Sequence, residues 1–203
     1  MLKAVLFDLD GVLIDSYNAW LPAFNDIREA YGQPPISEKD YSAGVWSRPS
    51  EEIVARFFPG ENLDKIRELM SRNFSKHIGK VKLLEGADKV PAKLKKMGLK
   101  LAIVSNSPNA MVREVLQYFG ILEFFDEVLG GDDVSSSKPN PEMVLAACGK
   151  LGIGVEEAIL AGDNEVDVET GKNAGMKVIG VRVQGDYRVE KLDEIPAILR
   201  KGI

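Results

Sequence analysis

The sequence is poor in the residues that most often form covalent links or bind soft metals. It has one cysteine, Cys148, and one histidine, His77. A single cysteine excludes an intrachain disulfide and any metal site built from several thiolates. Cys148 lies in the apolar helical run MVLAACGKLG, distant in sequence from His77, which favours an inert core thiol over a catalytic nucleophile.

Long apolar runs and blocks of positive charge are also missing. The apolar run after Lys3 ends at Asp8, which is too short for the core of a signal peptide, and no segment approaches the length of a membrane span. The net charge is -5 and there is no Lys/Arg block, so a general nucleic-acid-binding function is disfavoured. We expect a cytoplasmic monomer that uses neither nucleic acid nor a membrane as its partner.

The composition is that of a globular protein: 203 residues, 45% hydrophobic and 28% charged. From residue 81 onward, strand-like and helix-like segments alternate, which predicts βαβ units and a mostly parallel sheet. The predicted strands are LKLAIVS, FFDEVLG, EAILAGD and MKVIGVRV, after a first strand at AVLF. A helix is predicted from about Asp88, and VEKLDEIPAILRKG is predicted as a final helix interrupted near Pro196.

Residues 16–80 interrupt this alternation, because four helical segments follow one another there without a convincing strand. A stretch of this length exceeds an ordinary crossover connection. We therefore predict a Rossmann-like α/β core formed by residues 1–15 and 81–203, with residues 16–80 inserted as a helical subdomain. The alternative is that these helices simply pack on the sheet.

Polar side chains stand at the ends of the predicted strands. The first strand is followed by Asp8 and Asp10, the LAIV strand by Ser105 and Asn106, and the AILAG strand by Asp163 and Asp167; Lys138 lies in the loop SSSKPNPE. The carboxyl ends of parallel strands share one edge of a sheet, where ligands bind in open α/β folds. These residues are therefore expected to converge.

Several carboxylates in one pocket require a cation. Two like unit charges about 4 Å apart repel by roughly 4 kcal/mol at an effective dielectric of about 20. Carboxylate oxygens without nearby His or Cys select Mg²⁺ over zinc or copper. A magnesium ion, Lys138 and backbone N–H groups after Asp8 would together suit a phosphate dianion.

The spacing of the first two acids suits phosphoryl transfer. Asp8 and Asp10 are two residues apart on an extended segment, so they point to the same side. Asp8 can attack phosphorus and form an aspartyl phosphate. Asp10 can protonate the leaving oxygen and then deprotonate the water that hydrolyses the intermediate.

The chain resembles the haloacid dehalogenase superfamily, in its phosphoglycolate-phosphatase-like branch. FDLDGVLIDS fits the first motif of that family, VSNS the second, SKPNPE the third and AGDNEVDVETGKNAG the fourth. The resemblance covers nearly the whole chain. It implies a phosphatase of small phosphorylated metabolites, and it implies that the helical insertion is a mobile cap that selects the substrate.

The same resemblance assigns roles to individual residues. It implies a nucleophile at Asp8, a general acid/base at Asp10, and phosphate contacts from Ser105 and Lys138. Asn106 is either an ordinary loop residue or a further phosphate contact.

The resemblance also implies the magnesium ligands. They are the Asp8 carboxylate, the Asp10 main-chain carbonyl and Asp163, with Asp167 close by or bound through water. Alternatively, Asp167 is only an acidic residue in the first turn of a helix, where it interacts favourably with the helix dipole.

Two departures from the family pattern bear on the reaction. Phosphatases of this branch usually carry Thr at the position of Val12. A Val at this position resembles many β-phosphoglucomutases. Trp20 stands in the region where a β-phosphoglucomutase has a cap histidine, which weighs against that phosphotransferase alternative. A non-enzymatic receiver-type phospho-acceptor is the alternative from another class, but such domains are shorter and lack the helical insertion.

Substrate choice is the least determined property of the sequence. Arg48, in the loop AGVWSRPSEE of the insertion, is a candidate to meet an anionic end of the leaving group, or else it is a solvated arginine. Asp15 is expected to be a structural residue at the junction with the insertion. Phosphoglycolate, a sugar phosphate and a nucleotide all remain open as substrates.

Overall fold

A parallel six-stranded sheet forms the centre of the computed structural model, which describes residues 1–46 and 48–202. The strand order is β5-β4-β1-β6-β7-β8, and a separate antiparallel pair joins β2 and β3. The strands are β1 (Ala4–Phe7), β2 (Ile14–Asp15), β3 (Lys82–Leu83), β4 (Lys100–Val104), β5 (Glu127–Leu129), β6 (Ala158–Gly162), β7 (Lys177–Val181) and β8 (Tyr187–Val189).

Helices cover both faces of this sheet, so the predicted α/β class with a mostly parallel sheet is confirmed. They are α1 (Tyr17–Ala30), α2 (Glu38–Gly44), α3 (Ser50–Phe57), α4 (Leu63–Lys76), α5 (Val90–Lys96), α6 (Asn109–Tyr118), α7 (Glu142–Leu151), α8 (Glu165–Ala174) and α9 (Ile195–Arg200). None of them, within the described ranges, is both long and apolar enough to cross a bilayer.

Strand β1 is central because all of its side chains are apolar and completely buried. Val5 and Phe7 belong to the apolar cluster on one face of the sheet, and Ala4 and Leu6 to the cluster on the other. This alternation follows from the two-residue period of a strand whose two faces are both covered. Parallel pairing with β4 and β6 on either side then fixes where β1 ends relative to its neighbours.

The C-terminal segment differs from the prediction of one interrupted helix. Val189, the first residue of that segment, is instead the last residue of β8, which pairs in parallel with β7 through Val189 opposite Val181. Pro196 lies in the first turn of α9, where the missing N–H has no intrahelical partner to lose. The proline therefore starts a short helix instead of breaking a long one. Helix α5, predicted from about Asp88, begins at Val90 and has Pro91 in its first turn.

The four helices between β2 and β3 have an apolar cluster of their own. Phe24, Ile27, Tyr41, Phe58 and Met70 are buried together within it. Two N-terminal caps begin these helices in the expected way: the side chain of Ser37 accepts a hydrogen bond from the N–H of Asp40, and that of Asn62 from Lys65.

Phe74, in α4, connects these helices to the sheet. The Trp20 and Phe74 rings lie 4.6 Å apart, and Phe74 belongs to the cluster on one face of the sheet. A second connection is polar: the Arg67 guanidinium donates to Glu51 at 2.6 Å and to the Gly131 carbonyl, in the loop after β5, at 3.0 Å. The helices are therefore connected both to the apolar cluster on one face of the sheet and to the loop after β5.

Candidate active site

Lys138 occupies the middle of the residues gathered at the sheet edge. Its Nζ lies 2.8 Å from Oδ1 of Asp8 and 2.6 Å from Oδ1 of Asp167, and all three side chains are buried. Burial alone would lower the pKa of Lys138, but the charges of Asp167 and Asp8 outweigh it and raise that pKa. Lys138 is therefore a permanent cation in this pocket.

Asp8 follows β1 directly, and its backbone N–H donates to the carbonyl of Ala161 in β6 at 2.9 Å. Its pKa is raised, chiefly by burial, and Lys138 offsets this only in part because the charges of Asp167 and Asp163 act in the same direction as burial. The carboxylate is thus held rigidly in a place where its negative charge is not fully compensated.

Asn106 holds the main chain of Lys138 in place. Its Nδ2 donates to the Lys138 carbonyl at 3.0 Å, and its Oδ1 accepts from the Lys138 N–H at 2.9 Å. These two bonds use one of the two N–H donors of Nδ2 and one lone pair of Oδ1, so the second N–H donor of the amide is left for another acceptor. Ser105, at the end of β4, is buried and accepts a hydrogen bond from the N–H of Ser107 at 3.2 Å.

Asp163 and Asp167 flank the start of α8. Asn164 caps the helix by accepting from the Asp167 N–H at 3.1 Å, and its Nδ2 donates to Oδ1 of Asp163 at 3.1 Å. Oδ2 of Asp167 accepts from the Asp163 N–H at 3.2 Å, so both Asp167 oxygens have protein donors. Burial, assisted by the charge of Asp167, raises the pKa of Asp163 to about 6.

Gly11 permits the close approach of the first loop to Asp163. Its φ is +78°, and a side chain there would collide with the Asp163 carboxylate. The guanidinium of Arg182, in the loop after β7, donates to the Gly11 carbonyl and so also holds this loop in place.

Asp10 faces hydroxyl groups and not the lysine. Ser16 donates to its Oδ1, and Ser107 donates to its Oδ2 at 3.4 Å. Its pKa is raised because burial outweighs these hydrogen bonds. Asp15 lies outside this group, where it accepts from the N–H of Tyr17 at 3.3 Å at the start of α1.

A divalent cation fits between three of the acids. One carboxylate oxygen each from Asp8, Asp163 and Asp167 lies within 4.8 Å of the others. The raised pKa values of Asp8 and Asp163 reflect an excess of negative charge at this point. Clustered carboxylate oxygens of this kind are ligands for a hard cation such as Mg²⁺.

A cavity opens above Asp8 and Asp10, towards α1–α4. Its walls include Ser105, Asn106 and Lys138 below, and Arg48 from the loop before α3. The Arg48 side chain is 55% exposed and lies 3.7 Å from Oε2 of Glu52. The structure thus brings together the residues predicted at the strand ends and leaves Arg48 at the outer part of the cavity.

Several polar residues of the site were not expected from the sequence. Ser16, Ser107 and Asn164 lie inside the quoted motifs beside the predicted residues, and that position was the signal that could have identified them. Arg182 and Tyr41 gave no signal, because each approaches the acids from an element distant in sequence; Tyr41 is in α2, close enough for the charge of Asp10 to affect its pKa.

The comparison with protein families agrees with this geometry. The family model described as haloacid dehalogenase-like hydrolase matches residues 5–181. Pyrophosphatase PpaX of Halalkalibacterium halodurans is 34% identical over 194 residues, which cover 95% of this chain and 90% of the relative. Phosphoglycolate phosphatase of Psychrobacter arcticus is 32% identical over 197 residues, covering 91% of this chain and 85% of the relative.

A solved structure shows the same similarity in three dimensions. The crystal structure of a subfamily IA, variant 1, hydrolase of the haloacid dehalogenase superfamily from Geobacter sulfurreducens PCA superimposes with a TM-score of 0.74 at 28% identity. The match covers 98% of this chain and 96% of the other. The similarity therefore extends through α1–α4 as well as the sheet.

The crowding of the acids can be tested through the pH dependence of stability. The pKa of Asp163, raised to about 6, exceeds the unfolded value of about 3.9. Between these two pH values Asp163 is more often protonated in the folded protein than in the unfolded chain. The free energy of unfolding therefore falls as the pH rises through this range. We therefore expect the free energy of unfolding of Asp163→Asn to exceed that of the parent by on the order of 1–2 kcal/mol at about pH 7.5. The measurement is urea unfolding in the presence of a chelator.

This gain in the free energy of unfolding should shrink to roughly a third at about pH 4.5, where the Asp163 carboxyl is largely protonated in the folded parent but mostly ionised in its unfolded chain. Asp88→Asn, at an exposed position, serves as the matched control and should change stability little at either pH. An equal gain at both pH values would contradict the electrostatic explanation.

Removal of the buried cation should have the opposite effect. Lys138→Met keeps most of the side-chain volume but leaves Asp8 and Asp167 buried without their cation, so we expect a loss of about 3–5 kcal/mol in the free energy of unfolding near pH 7.5. Lys150→Met is the control, because Lys150 is 53% exposed and lies 3.9 Å from Glu127; its effect should stay below about 1 kcal/mol. Equal losses in the two variants would show that the buried cation is not required.

Proposed function

Because the chain belongs to the haloacid dehalogenase-like hydrolase family, we propose that it is a Mg²⁺-dependent phosphatase that hydrolyses small phosphate monoesters through an aspartyl phosphate on Asp8. The curated relatives named above are phosphatases, and the chain is a phosphomonoesterase of the same family. The observation that carries the mechanism is the buried Asp8 carboxylate, fixed at the end of β1 and bonded to Lys138.

The first half of the proposed cycle transfers the phosphoryl group to the enzyme. An Asp8 carboxylate oxygen forms a bond to phosphorus as the bond from phosphorus to the ester oxygen breaks. Asp10 donates its proton to the leaving oxygen, so that a neutral alcohol departs. The raised pKa of Asp10 favours the protonated form that this step requires.

The second half releases the phosphate. Asp10, now ionised, accepts a proton from water, and the water oxygen forms a bond to phosphorus as the bond to Asp8 breaks. Asp8 returns to its carboxylate form, and Asp10 is again protonated. Lys138 and the hydroxyl of Ser105 would bind the phosphate oxygens during both steps, and Asn106 would keep Lys138 in position through its bonds to the main chain.

We propose that Asp8, the main-chain carbonyl of Asp10, and Asp163 hold the magnesium ion. Bound there, Mg²⁺ supplies positive charge against the negative charge of the transferring phosphoryl group. Asp167 would act mainly through Lys138 and the Asp163 N–H, since both of its oxygens are already bonded to these donors.

The division of the chain follows the same proposal. Residues 1–15 and 81–203 would form the catalytic core, and residues 16–80 the cap that covers the site and contacts the leaving group. The separate apolar cluster of α1–α4 supports this division. Arg48 would contact the outer part of the substrate from the cap.

Two alternatives remain distinguishable from hydrolysis. A β-phosphoglucomutase-like enzyme would pass the phosphoryl group to a sugar hydroxyl, and a receiver-type domain would keep it on Asp8 with at most slow, stoichiometric loss. Continuous release of inorganic phosphate over many turnovers would favour the phosphatase over both.

The nucleophile is tested by Asp8→Asn. An amide oxygen is a poor nucleophile, so we expect kcat for an aryl phosphate to fall by at least about a thousandfold while the far-UV circular dichroism spectrum is unchanged. Asp88→Asn serves again as the exposed control. Hydrolysis by Asp8→Asn at the parent rate would overturn the proposed mechanism.

The metal is tested by its removal and return. We expect chelator to abolish phosphate release and Mg²⁺ to restore it, and we expect Mg²⁺ to raise the melting temperature of the parent by neutralising the acid cluster. The rise in melting temperature should be smaller for Asp163→Asn, because a ligand and a negative charge are lost together. Full activity in chelator, or an equal rise in both proteins, would contradict the magnesium proposal.

A further inference from the structure

The cavity over the active site has two chemically different ends. Asp8, Asp10, Ser105 and Lys138 line the end formed by the sheet. The other end is lined mainly by large apolar and aromatic side chains from residues 16–80: Trp20, Phe24, Tyr41, Trp46, Ile53 and Met70. A phosphate bound at the polar end would therefore place its leaving group among aromatic rings.

This apolar end offers little positive charge. Among the described residues that line it, Arg48 is the only Lys or Arg contributed by residues 16–80, and its largely exposed guanidinium is shared with Glu52 at 3.7 Å. The first turn of the neighbouring helix α3 contains Glu51 and Glu52, which already meet the positive end of the helix dipole. In the described part of this lining, a second anionic group on the substrate would therefore meet only this exposed arginine, which already neighbours Glu52.

Two hydroxyl groups face the same space. Tyr41 is only 3% exposed and Ser50 only 4%, and both line the cavity. Neither side-chain oxygen forms a hydrogen bond with any other described residue, whereas the hydroxyl of the adjacent Tyr17 is bonded to Ser42 at 2.5 Å. Both hydroxyl groups are therefore available to hydrogen-bond a ligand that enters the cavity.

We propose that the leaving group is an uncharged, ring-containing alcohol that carries further hydroxyl groups, packed against Trp20 and Trp46 and hydrogen-bonded by Tyr41. Aromatic side chains pack well against the faces of neutral rings, and the few polar groups of such a pocket fix the orientation of the ligand. The inference rests on the phosphatase function proposed above. If it is correct, this chain does not prefer small substrates that carry a second anionic group.

The first test is a comparison of kcat/KM among five phosphate compounds under saturating Mg²⁺. A hexose 6-phosphate and a nucleoside 5′-monophosphate contain neutral, hydroxyl-bearing rings, phenyl phosphate contains a ring without hydroxyls, and phosphoglycolate and pyrophosphate have small anionic leaving groups. We expect one of the two hydroxyl-bearing esters to exceed both anionic compounds by at least about tenfold. The comparison between those two esters identifies a sugar or a nucleoside as the source of the ring.

The second test isolates the hydroxyl of Tyr41. Tyr41→Phe keeps the ring and its packing, so we expect kcat/KM for the preferred hydroxyl-bearing ester to fall about tenfold, and that for phenyl phosphate to change less than about twofold. Tyr118→Phe is the matched control, since Tyr118 is 55% exposed and lies in α6, outside the cavity.

Three results would overturn the inference. A preference for phosphoglycolate or pyrophosphate would show that the leaving group is anionic. If Tyr41→Phe lowers kcat/KM equally for the preferred hydroxyl-bearing ester and for phenyl phosphate, the Tyr41 hydroxyl has a structural role only. The absence of phosphate release from all five compounds, phenyl phosphate included, would instead refute the phosphatase proposal, and with it the inference that rests on it.

Discussion

The ammonium group of Lys138 is the contact on which the rest of the site depends. It joins Asp8 and Asp167, which lie on elements far apart in sequence, at distances of 2.8 and 2.6 Å. The carboxylates of Asp10 and Asp163 lie close enough to add their negative charge to that of Asp8, although neither is bonded to this ammonium group. One ammonium cannot balance four ionised acids, so the raised pKa values and the fit of a divalent cation have the same origin.

Lys138 reaches this position because its loop is held by side chains from two other parts of the fold. Asn106, after β4, bonds to the main chain of Lys138 at both its N–H and its carbonyl. Asn173, in α8, donates to the carbonyl of the following Pro139 at 3.0 Å. These bonds fix Lys138 in position although it lies in a loop. Such fixed geometry is needed because a buried ion pair offsets the cost of its desolvation only when its geometry is good.

The sequence was sufficient to predict the α/β class and the convergence of polar residues, because both follow from the alternation of elements and from where parallel strands end. It was not sufficient to predict hydrogen-bond partners. The bonds of Asn106 to Lys138 and of Ser107 to Asp10 join residues that are 32 and 97 positions apart. Strand β8 was missed because it has three residues, of which only Val189 is buried, and this leaves no periodic signal.

The charge balance of the site also bears on the choice of substrate. A phosphate dianion adds negative charge to a pocket that already has more carboxylates than cations, and one divalent ion compensates only part of the total. A second anionic group on the leaving side would need a cation from residues 16–80, as well placed as Lys138 is on the sheet side. In the described part of that lining the candidate is Arg48, which is exposed and paired with Glu52. Aromatic rings and unbonded hydroxyls are what a neutral leaving group requires, and they occupy the place where that cation would have to be.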